Sequence, residues 1–171
     1  EFERIILVCG SGQVSSYAAS LLRMIGYGNV YAMRWGMSAW NPAIAGEYWL
    51  KGLSGAYENR LETADVPAAP AGDLPSLQTG LTTGTEILDK RFRQLMTEGG
   101  QAALITADEV FADPSKYYVI NFERKDKYES GHIPGAVRYK PAGTLGIATE
   151  MQTIPHDRPV VLYCGTGHNS A

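Results

Sequence analysis

Residues 5–15 read IILVCGSGQVS, and residues 160–170 read VVLYCGTGHNS. In each copy four apolar residues, typical of a buried strand, lead into a glycine-rich turn that opens with a cysteine. The two cysteines, Cys9 and Cys164, are the only ones in the chain. Two cysteines in matching frames are not expected by chance, so the repeat indicates two copies of one strand-and-loop unit.

The glycine-rich turn is predicted to place a ring of donors around the cysteine sulfur, because glycine lets consecutive backbone N–H groups point inward. After the first copy, apolar residues recur with the spacing of one helical face, at Ala18, Leu21, Leu22 and Ile25. We expect Ser15 or Ser16 to cap this helix and Gly26 to end it. The N–H groups and dipole of a helix start favour an anion, so the pKa of Cys9 is expected to be lowered.

Both cysteines are therefore candidate catalytic nucleophiles, and the rest of each turn is a candidate cradle for an anion. The cradle residues are Gly10, Ser11, Gly12, Gln13, Val14 and Ser15 in the first copy and Gly165, Thr166, Gly167, His168, Asn169 and Ser170 in the second. His168 is a candidate cation beside Cys164, although a loop histidine more often faces solvent. The structural alternative is that each cysteine is simply a small apolar residue at a strand end.

The rest of the chain alternates strands and helices, which predicts an α/β fold with a mainly parallel sheet. A Pro/Ala-rich segment at residues 66–75 cannot hold a regular core element and is interpreted as a linker. Capping boxes at Thr83 and Thr106 predict the starts of two helices. Further strands are predicted at residues 117–122, 136–139 and 159–163.

Composition excludes several classes of function. The chain of 171 residues is 44% hydrophobic and 19% charged, as in ordinary globular proteins. Its net charge of −3, without a basic cluster in the sequence, argues against nucleic acid as a partner. No apolar run approaches membrane-spanning length, so no membrane insertion is expected. Three dispersed histidines and two distant cysteines give no metal-ligand spacing, and we expect no metal site.

Several segments resemble the rhodanese, or sulfurtransferase, domain family. The first strand, cysteine loop and helix, followed by GYGNVY at residues 26–31 and GMSAWN at 36–41, resemble the C-terminal half of such a domain. The stretch YESGHIPGA at residues 128–136 resembles the family's entry motif in the N-terminal half. The resemblance covers most of the chain outside the linker. It implies a rhodanese-like, mainly parallel central sheet flanked by helices, in two partial repeats.

The order of these halves implies a division of the chain. Residues 1–50 resemble the C-terminal half of a first rhodanese-like domain, residues 51–103 form a linker with one helix, and residues 104–171 resemble the N-terminal half of a second domain, including its cysteine loop. We expect the chain to be a window on a longer tandem protein. The other interpretation is that the halves assemble like a circular permutation, within the chain, with a complementing chain or in a domain-swapped homodimer.

The resemblance implies a sulfurtransferase of the thiosulfate type. A cysteine thiolate would take the outer sulfur of a donor such as thiosulfate, and the persulfide would pass it to a thiol or to cyanide. Small sulfur donors and thiol acceptors are therefore the expected partners, and no cofactor is expected. The tandem arrangement resembles that of bacterial exported proteins as well as cytoplasmic ones, so the resemblance does not fix the compartment.

The sequence departs from the family pattern where positive charge is usual. Many members carry Asp-x-Arg at the end of the strand before the entry motif, where this chain has Asn121 and Glu123. An arginine often found in the cysteine loop is replaced by Val14 and Asn169. The loss of positive charge is expected to weaken the binding of an anionic donor such as thiosulfate. A persulfide carrier that uses a different donor fits these departures.

Three other functions match parts of the sequence. A cysteine phosphatase needs an arginine six residues after the cysteine, where this chain has Ser15 and Ser170. A dinucleotide-binding turn lacks its third glycine here, and the next strand ends at Arg34 rather than at an acid. The main alternative is a non-catalytic rhodanese-like module that binds a partner or senses sulfur. The substitutions at residues 121 and 123 are the observation that favours it.

Overall fold

The computed structural model describes residues 2–171. The chain divides into two compact units. The first unit comprises the described residues up to Leu53, together with Leu77–Leu104 and Ala171. The second unit comprises Ser54–Ser76 and Ile105–Ser170. Each unit contains one of the two cysteine loops.

The first unit is built on two parallel strands, β1 (Ile5–Leu7) and β2 (Val30–Ala32), joined by the helix α1 (Gln13–Met24). Helix α1 packs against both strands. The unit also contains the helices α2 (Pro42–Tyr48) and α3 (Gly84–Glu98) and a short 3₁₀ turn at Gly36–Ala39. The predicted cap at Thr83 is confirmed, because its side chain accepts a hydrogen bond from the Glu86 N–H.

The start of α1 differs from the prediction of a serine cap. The N-cap is Gly12, which has a φ of 89°, a left-handed conformation that glycine adopts without strain. Ser15 and Ser16 lie inside the first turn, and their hydroxyls donate to the Gly12 carbonyl at 3.0 and 2.8 Å. The prediction was wrong because a tight turn on glycine starts the helix earlier than a side-chain cap would.

The second unit contains a three-stranded parallel sheet with the order β4–β3–β5. Its strands are β3 (Tyr118–Asn121), β4 (Val137–Arg138) and β5 (Val160–Tyr163), and its helices are α4 (Ala107–Ala112) and α5 (Lys125–Glu129). One face of the sheet buries Val119 and Val161 with Val110 of α4, and the other buries Ile120 and Tyr139. The predicted α/β class with parallel sheets and flanking helices is confirmed.

The Pro/Ala-rich segment has no helix or strand, but it is attached to the second unit by hydrogen bonds. The N–H groups of Val66 and Ala69 donate to the hydroxyls of Tyr128 and Tyr118 at 3.0 and 3.3 Å. Further along, the Gly72 N–H donates to the Gln152 carbonyl at 2.8 Å. The segment therefore covers part of the second unit. The division at residues 50 and 103 stays a prediction.

The strand that precedes the cysteine is hydrogen-bonded along one edge in the first unit and along its opposite edge in the second. In β1 the Ile5 N–H donates to the Asn29 carbonyl just before β2, and the Leu7 carbonyl accepts from the Met33 N–H just after it; these β1 residues are four and two positions before the cysteine. The carbonyls of Pro159, just before β5, and of Tyr163 accept from the N–H groups of Tyr118 and Phe122, and lie five and one positions before the cysteine. Backbone groups of successive residues in a strand point to opposite edges. Among residues 2–171, each cysteine strand is therefore paired on one edge only. The edge that is paired in β1 corresponds to the edge that is left unpaired in β5.

No helix in the described part of the chain is both long enough and apolar enough to cross a membrane.

Candidate active site: two cysteine loops

The first cysteine loop places backbone N–H groups against the sulfur of Cys9. The Gly12 N–H donates to Cys9 Sγ at 3.1 Å and the Ser15 N–H donates to it at 3.4 Å. The Cys9 thiol in turn donates to Ser15 Oγ at 3.5 Å. These donors come from the tight turn at Gly12 and the first turn of α1, so the helix start aims its free N–H groups at the sulfur.

The pKa of Cys9 lies below its ordinary value. Burial of the thiol raises the pKa, but hydrogen bonding with the Ser15 side chain and with the backbone of Ser15, Gly12 and Ser11 outweighs that effect. A half-buried thiol with these donors is a better nucleophile at neutral pH than a free cysteine, because more of it is thiolate.

The residues after β2 hold the first loop from one side. The N–H groups of Met37 and Ser38 donate to the carbonyls of Cys9 and Gly10 at 2.8 and 3.0 Å. Gly36 has a φ of 54°, and a Cβ on it would lie 1.9 Å from the Cys9 carbonyl oxygen, so only glycine fits there. The GMSAWN motif at residues 36–41 is thus the support of the loop.

The second loop repeats the contact between the turn and the sulfur. The Gly167 N–H donates to Cys164 Sγ at 3.1 Å, the equivalent of the Gly12 bond, and the Ser170 hydroxyl donates to it at 3.6 Å. Burial raises the pKa of Cys164, but hydrogen bonds from the Thr166 backbone, the Ser170 side chain and the Asn169 and Ser170 backbones leave it below its ordinary value. Both cysteines therefore have sulfur atoms held in a cradle of donors.

The end of β3 forms a wall beside the second loop. Glu123 Oε1 accepts a hydrogen bond from the Gly165 N–H at 3.0 Å, which places a carboxylate next to Cys164. Asn121 is buried, and its amide donates to the Tyr163 hydroxyl at 2.9 Å. The Ile133 N–H of the entry motif donates to the same hydroxyl at 3.1 Å. The two residues that depart from the family pattern thus take structural roles at this wall.

A basic pocket near this wall was missed in the sequence. It is lined by Arg124, Lys125, Arg138, Lys140 and Pro141, which come from two separate segments. Sequence reasoning found no basic cluster because the charges are close together only after β3 and β4 pair. The signal that could have revealed them is that both segments follow neighbouring parallel strands, whose carboxyl ends meet at one edge of the sheet.

The remaining predicted loop residues have different surroundings. The Ser11 hydroxyl donates to Gln13 Oε1 at 3.4 Å, and Val14 is 55% exposed. His168 Nδ1 lies 2.8 Å from Thr166 Oγ1 and has that hydroxyl as a partner. Asn169 is exposed. Cys9 and Cys164 lie in different units, so each loop is a separate candidate site.

The histidines and acids form no metal site among the described residues. His132 of the entry motif is buried, stacks on the Tyr128 ring at 3.8 Å, and its Nδ1 lies 2.9 Å from the Tyr128 carbonyl oxygen. Its Nε2 is buried without a hydrogen-bond partner in the described part of the chain. His132 therefore packs in the core of the second unit.

The fold and the loops define the class of protein: an α/β domain that presents a cysteine at the carboxyl end of a parallel strand. The family model described as the rhodanese-like domain matches residues 1–43 and 106–171, which together make up more than half of the chain. The chain therefore belongs to the rhodanese-like domain family, and the resemblance seen in its motifs is confirmed. This family is of the sulfurtransferase type, although its domain also occurs in non-catalytic proteins. Neither the curated proteins nor the solved structures gave a match.

Proposed function

We propose that the chain is a sulfurtransferase that carries sulfane sulfur as a persulfide on Cys9 or Cys164. The observation that supports this proposal is the contact of each sulfur with the N–H of the glycine three residues later, 3.1 Å in both loops. Two loops that share this contact in different units are not explained by cysteines acting as small apolar residues. The cradle residues at 10–15 and 165–170 would hold the negative charge.

The reaction has two steps. In the first, the cysteine thiolate attacks the outer sulfur of the donor; with thiosulfate, a new S–S bond forms and sulfite leaves with the electron pair of the broken bond. In the second, an acceptor thiolate or cyanide attacks the outer sulfur of the persulfide, and the cysteine leaves as a thiolate. The role of the loop is electrostatic, because the backbone N–H groups stabilise the thiolate and the persulfide alike.

Thiosulfate itself is a poor match to the second loop. A dianion approaching Cys164 would meet the Glu123 carboxylate, which is bound to the Gly165 N–H at 3.0 Å. Like charges repel at this range. We therefore propose that Cys164 takes sulfur from a donor with less negative charge near the reacting atom, and that Cys9 is the better candidate for reaction with thiosulfate.

The second candidate function is a non-catalytic binding or sulfur-sensing module. The observation that favours it is the same carboxylate, since Glu123 opposes an anionic intermediate in the second loop. In this case the cysteine turn would have only a structural role. The protein would act through a binding surface rather than through the thiol. Substitution of both cysteines would leave that function unchanged.

Assembly belongs to the proposal as well. The cysteine strand is paired with β2 in one unit and with β3 in the other, at opposite edges. We propose that a complete rhodanese sheet has the order β4–β3–cysteine strand–β2. The first unit would then accept the two strands it lacks, and the second unit the one it lacks, from a complementing chain or from a second copy in a swapped dimer. Light scattering would distinguish a monomer from a dimer.

The test is to map sulfur on the reduced protein. The protein is incubated with thiosulfate and, separately, with an inorganic polysulfide, and the peptides of Cys9 and Cys164 are analysed by mass spectrometry. We expect one added sulfur atom, removable by cyanide or by a reductant, with polysulfide on both cysteines and with thiosulfate mainly on Cys9. Folded protein that gains no sulfur on either cysteine with either donor would reject the enzymatic proposal and favour the binding module.

A further inference from the structure

The basic pocket of the second unit contains more positive charge than its ion pairs neutralise. It is lined by Arg124, Lys125, Arg138 and Lys140, with no carboxylate in its lining. Two of these cations are already paired, Arg124 with Asp126 at 2.8 Å and Lys125 with Glu129 at 3.3 Å. The other two, Arg138 and Lys140, have no carboxylate within 4.0 Å in residues 2–171. The pocket therefore favours an anionic ligand.

The pocket opens at the same end of the sheet as Cys164. Arg138 ends β4 and is paired with Asn121 of β3, which on its other side is paired with Tyr163, the residue before Cys164. The Arg138 guanidinium donates to the Glu123 carbonyl at 3.3 Å. Neighbouring strands lie about 4.8 Å apart, so the pocket and the cysteine loop are separated by roughly 5–10 Å across the sheet. Ligands of open parallel sheets bind at this end of the strands.

The separation decides which ligands can occupy the pocket while their sulfur reacts. The S–S bond of thiosulfate is only about 2 Å long, so its oxygens stay close to the reacting sulfur and do not reach across a strand. An extended peptide advances about 3.3 Å per residue, so an acidic side chain two or three residues from a cysteine spans the gap. A carboxylate also suits arginine, which binds it through two parallel hydrogen bonds.

We propose that the pocket lined by Arg124, Lys125, Arg138 and Lys140 binds the acidic side chains of a peptide segment whose cysteine accepts sulfur from Cys164. This inference rests on the proposed sulfurtransferase function. In the transfer step the peptide thiolate attacks the outer sulfur of the Cys164 persulfide, a new S–S bond forms on the peptide, and the S–S bond to Cys164 breaks. The proton on the outer sulfur moves with it, and Cys164 is left as a thiolate, so no oxidant or reductant is consumed.

Charge also sets how such a peptide would bind. The lining cations are largely exposed, and single exposed ion pairs contribute little, so recognition depends on several carboxylates acting together. The interaction is electrostatic and open to solvent, so it weakens as salt is added. An acidic acceptor would also be steered to the end of the sheet where Cys164 lies, which raises the rate of encounter.

The test compares two synthetic acceptors that differ only in charge, Ac-Cys-Gly-Asp-Asp-amide and Ac-Cys-Gly-Asn-Asn-amide. Protein loaded on Cys164 with polysulfide, in a Cys9→Ser background, is mixed with each peptide, and transfer is followed by mass spectrometry. We expect the Asp peptide to react about fivefold to tenfold faster at low salt, and this advantage to disappear in Arg138→Gln/Lys140→Gln. The matched control Lys116→Gln/Arg158→Gln removes two cations that precede β3 and β5, at the opposite end of the strands, and should keep the advantage.

A second measurement separates the pocket from the chemistry. The unreactive peptide Ac-Ser-Gly-Asp-Asp-amide is titrated into the protein, and binding is followed by calorimetry in both double variants. Lys140→Gln alone, at an exposed side chain, serves if the first double variant does not fold. Absence of sulfur on Cys164 would reject sulfur transfer at this cysteine, whereas binding of the Ser peptide that depends on residues 138 and 140 would still support the pocket. Equal rates for the two Cys peptides, or equal binding by all variants, would overturn the inference.

Discussion

The two cysteine loops share a turn and a sulfur contact but differ in what supports them. In the first, a helix of twelve residues begins inside the loop, and the Gly36–Ala39 turn binds its backbone. In the second, the loop is bound through the Gly165 N–H to Glu123 at the end of β3, on the opposite edge of the cysteine strand. The two loops are thus supported from opposite edges of the cysteine strand.

Each site has a local part, the turn around the sulfur, and a tertiary part, the residues that neighbouring strands place beside it. The contact between the sulfur and the glycine N–H is 3.1 Å in both loops although their surroundings differ, so the turn sequence alone is enough to form it. The two loops differ in the charge near the sulfur, because the Glu123 carboxylate lies beside Cys164. We infer that the turn sets the ability to hold an anion, and the neighbouring strands set which anion is accepted.

The largest expected effect comes from removing each sulfur in turn. Cys9→Ser should abolish sulfur loading of the first loop and leave the second unchanged, and Cys164→Ser should do the reverse, because the loops lie in different units. Peptide mass spectrometry after polysulfide treatment measures both loops in one sample. Circular dichroism checks that each variant is folded. If one substitution suppressed loading at both cysteines, the loops would not be independent sites.

The support of the first loop gives the next largest effect. Gly36→Ala places a Cβ 1.9 Å from the Cys9 carbonyl oxygen at a φ of 54°, so the loop must move or the unit must unfold. We expect a loss of about 2–4 kcal/mol in the free energy of unfolding, measured by urea denaturation, with normal sulfur loading on Cys164.

The matched control is Gly28→Ala in the same unit, where an added Cβ meets nothing within 4 Å. Its free energy of unfolding should change by less than about 1 kcal/mol. Equal destabilisation by both substitutions would mean that Gly36 is not the specific support of the Cys9 loop.

Local patterns predicted most of the fold. The apolar runs before each cysteine and the capping boxes at Thr83 and Thr106 placed strands and helices within one or two residues of their observed bounds, since these signals act over a single turn or strand. The serine cap of α1 was mispredicted because a left-handed glycine competes with it. The attachment of residues 66–69 to the second unit was not predictable, because it depends on tyrosine hydroxyls about fifty or more positions away in the chain.

The candidate site was predictable only in its local part. The cysteines and the turn were found because the sequence repeats them, whereas the Glu123 contact and the basic pocket arise from strand pairing. Asn121 and Glu123 were identified as departures from the family pattern, but only the structure shows that the Asn121 amide binds Tyr163 and that the Glu123 carboxylate binds Gly165. Side-chain direction at a strand end depends on neighbouring strands, which sequence spacing does not specify.

The hydroxyl in each loop offers a finer comparison. Ser15 Oγ lies 3.5 Å from Cys9 Sγ, the Ser170 hydroxyl donates to Cys164 Sγ at 3.6 Å, and each contact lowers the pKa of its cysteine. Ser15→Ala should therefore raise the pKa of Cys9, and Ser170→Ala should raise that of Cys164. We expect alkylation of Cys9 by iodoacetamide at pH 7 to slow by about fivefold, the value of one hydrogen bond of about 1 kcal/mol.

The pH dependence of stability follows the same bonds. Because folding lowers the pKa of each thiol, the stability they contribute is present above the unfolded pKa and is lost as the pH falls through the folded pKa. Unfolding curves at pH 6 and pH 9 should show this gain in the native protein and a smaller one in Ser15→Ala. An equal gain in the two proteins would exclude Ser15 as a determinant of the Cys9 pKa.

The smallest expected effect concerns the carboxylate that distinguishes the loops. Glu123→Gln keeps an oxygen that can accept from the Gly165 N–H but removes a negative charge on the order of 6 Å from Cys164 Sγ by covalent geometry. The thiolate of Cys164 is then less destabilised, its pKa falls, and alkylation at pH 7 should become about threefold faster, with Cys9 in the same sample as the unchanged reference. The gain should shrink at high salt, because a half-exposed charge is screened. A rate for Cys164 that does not change would mean that the difference between the two loops lies in their backbone support and not in the charge of Glu123.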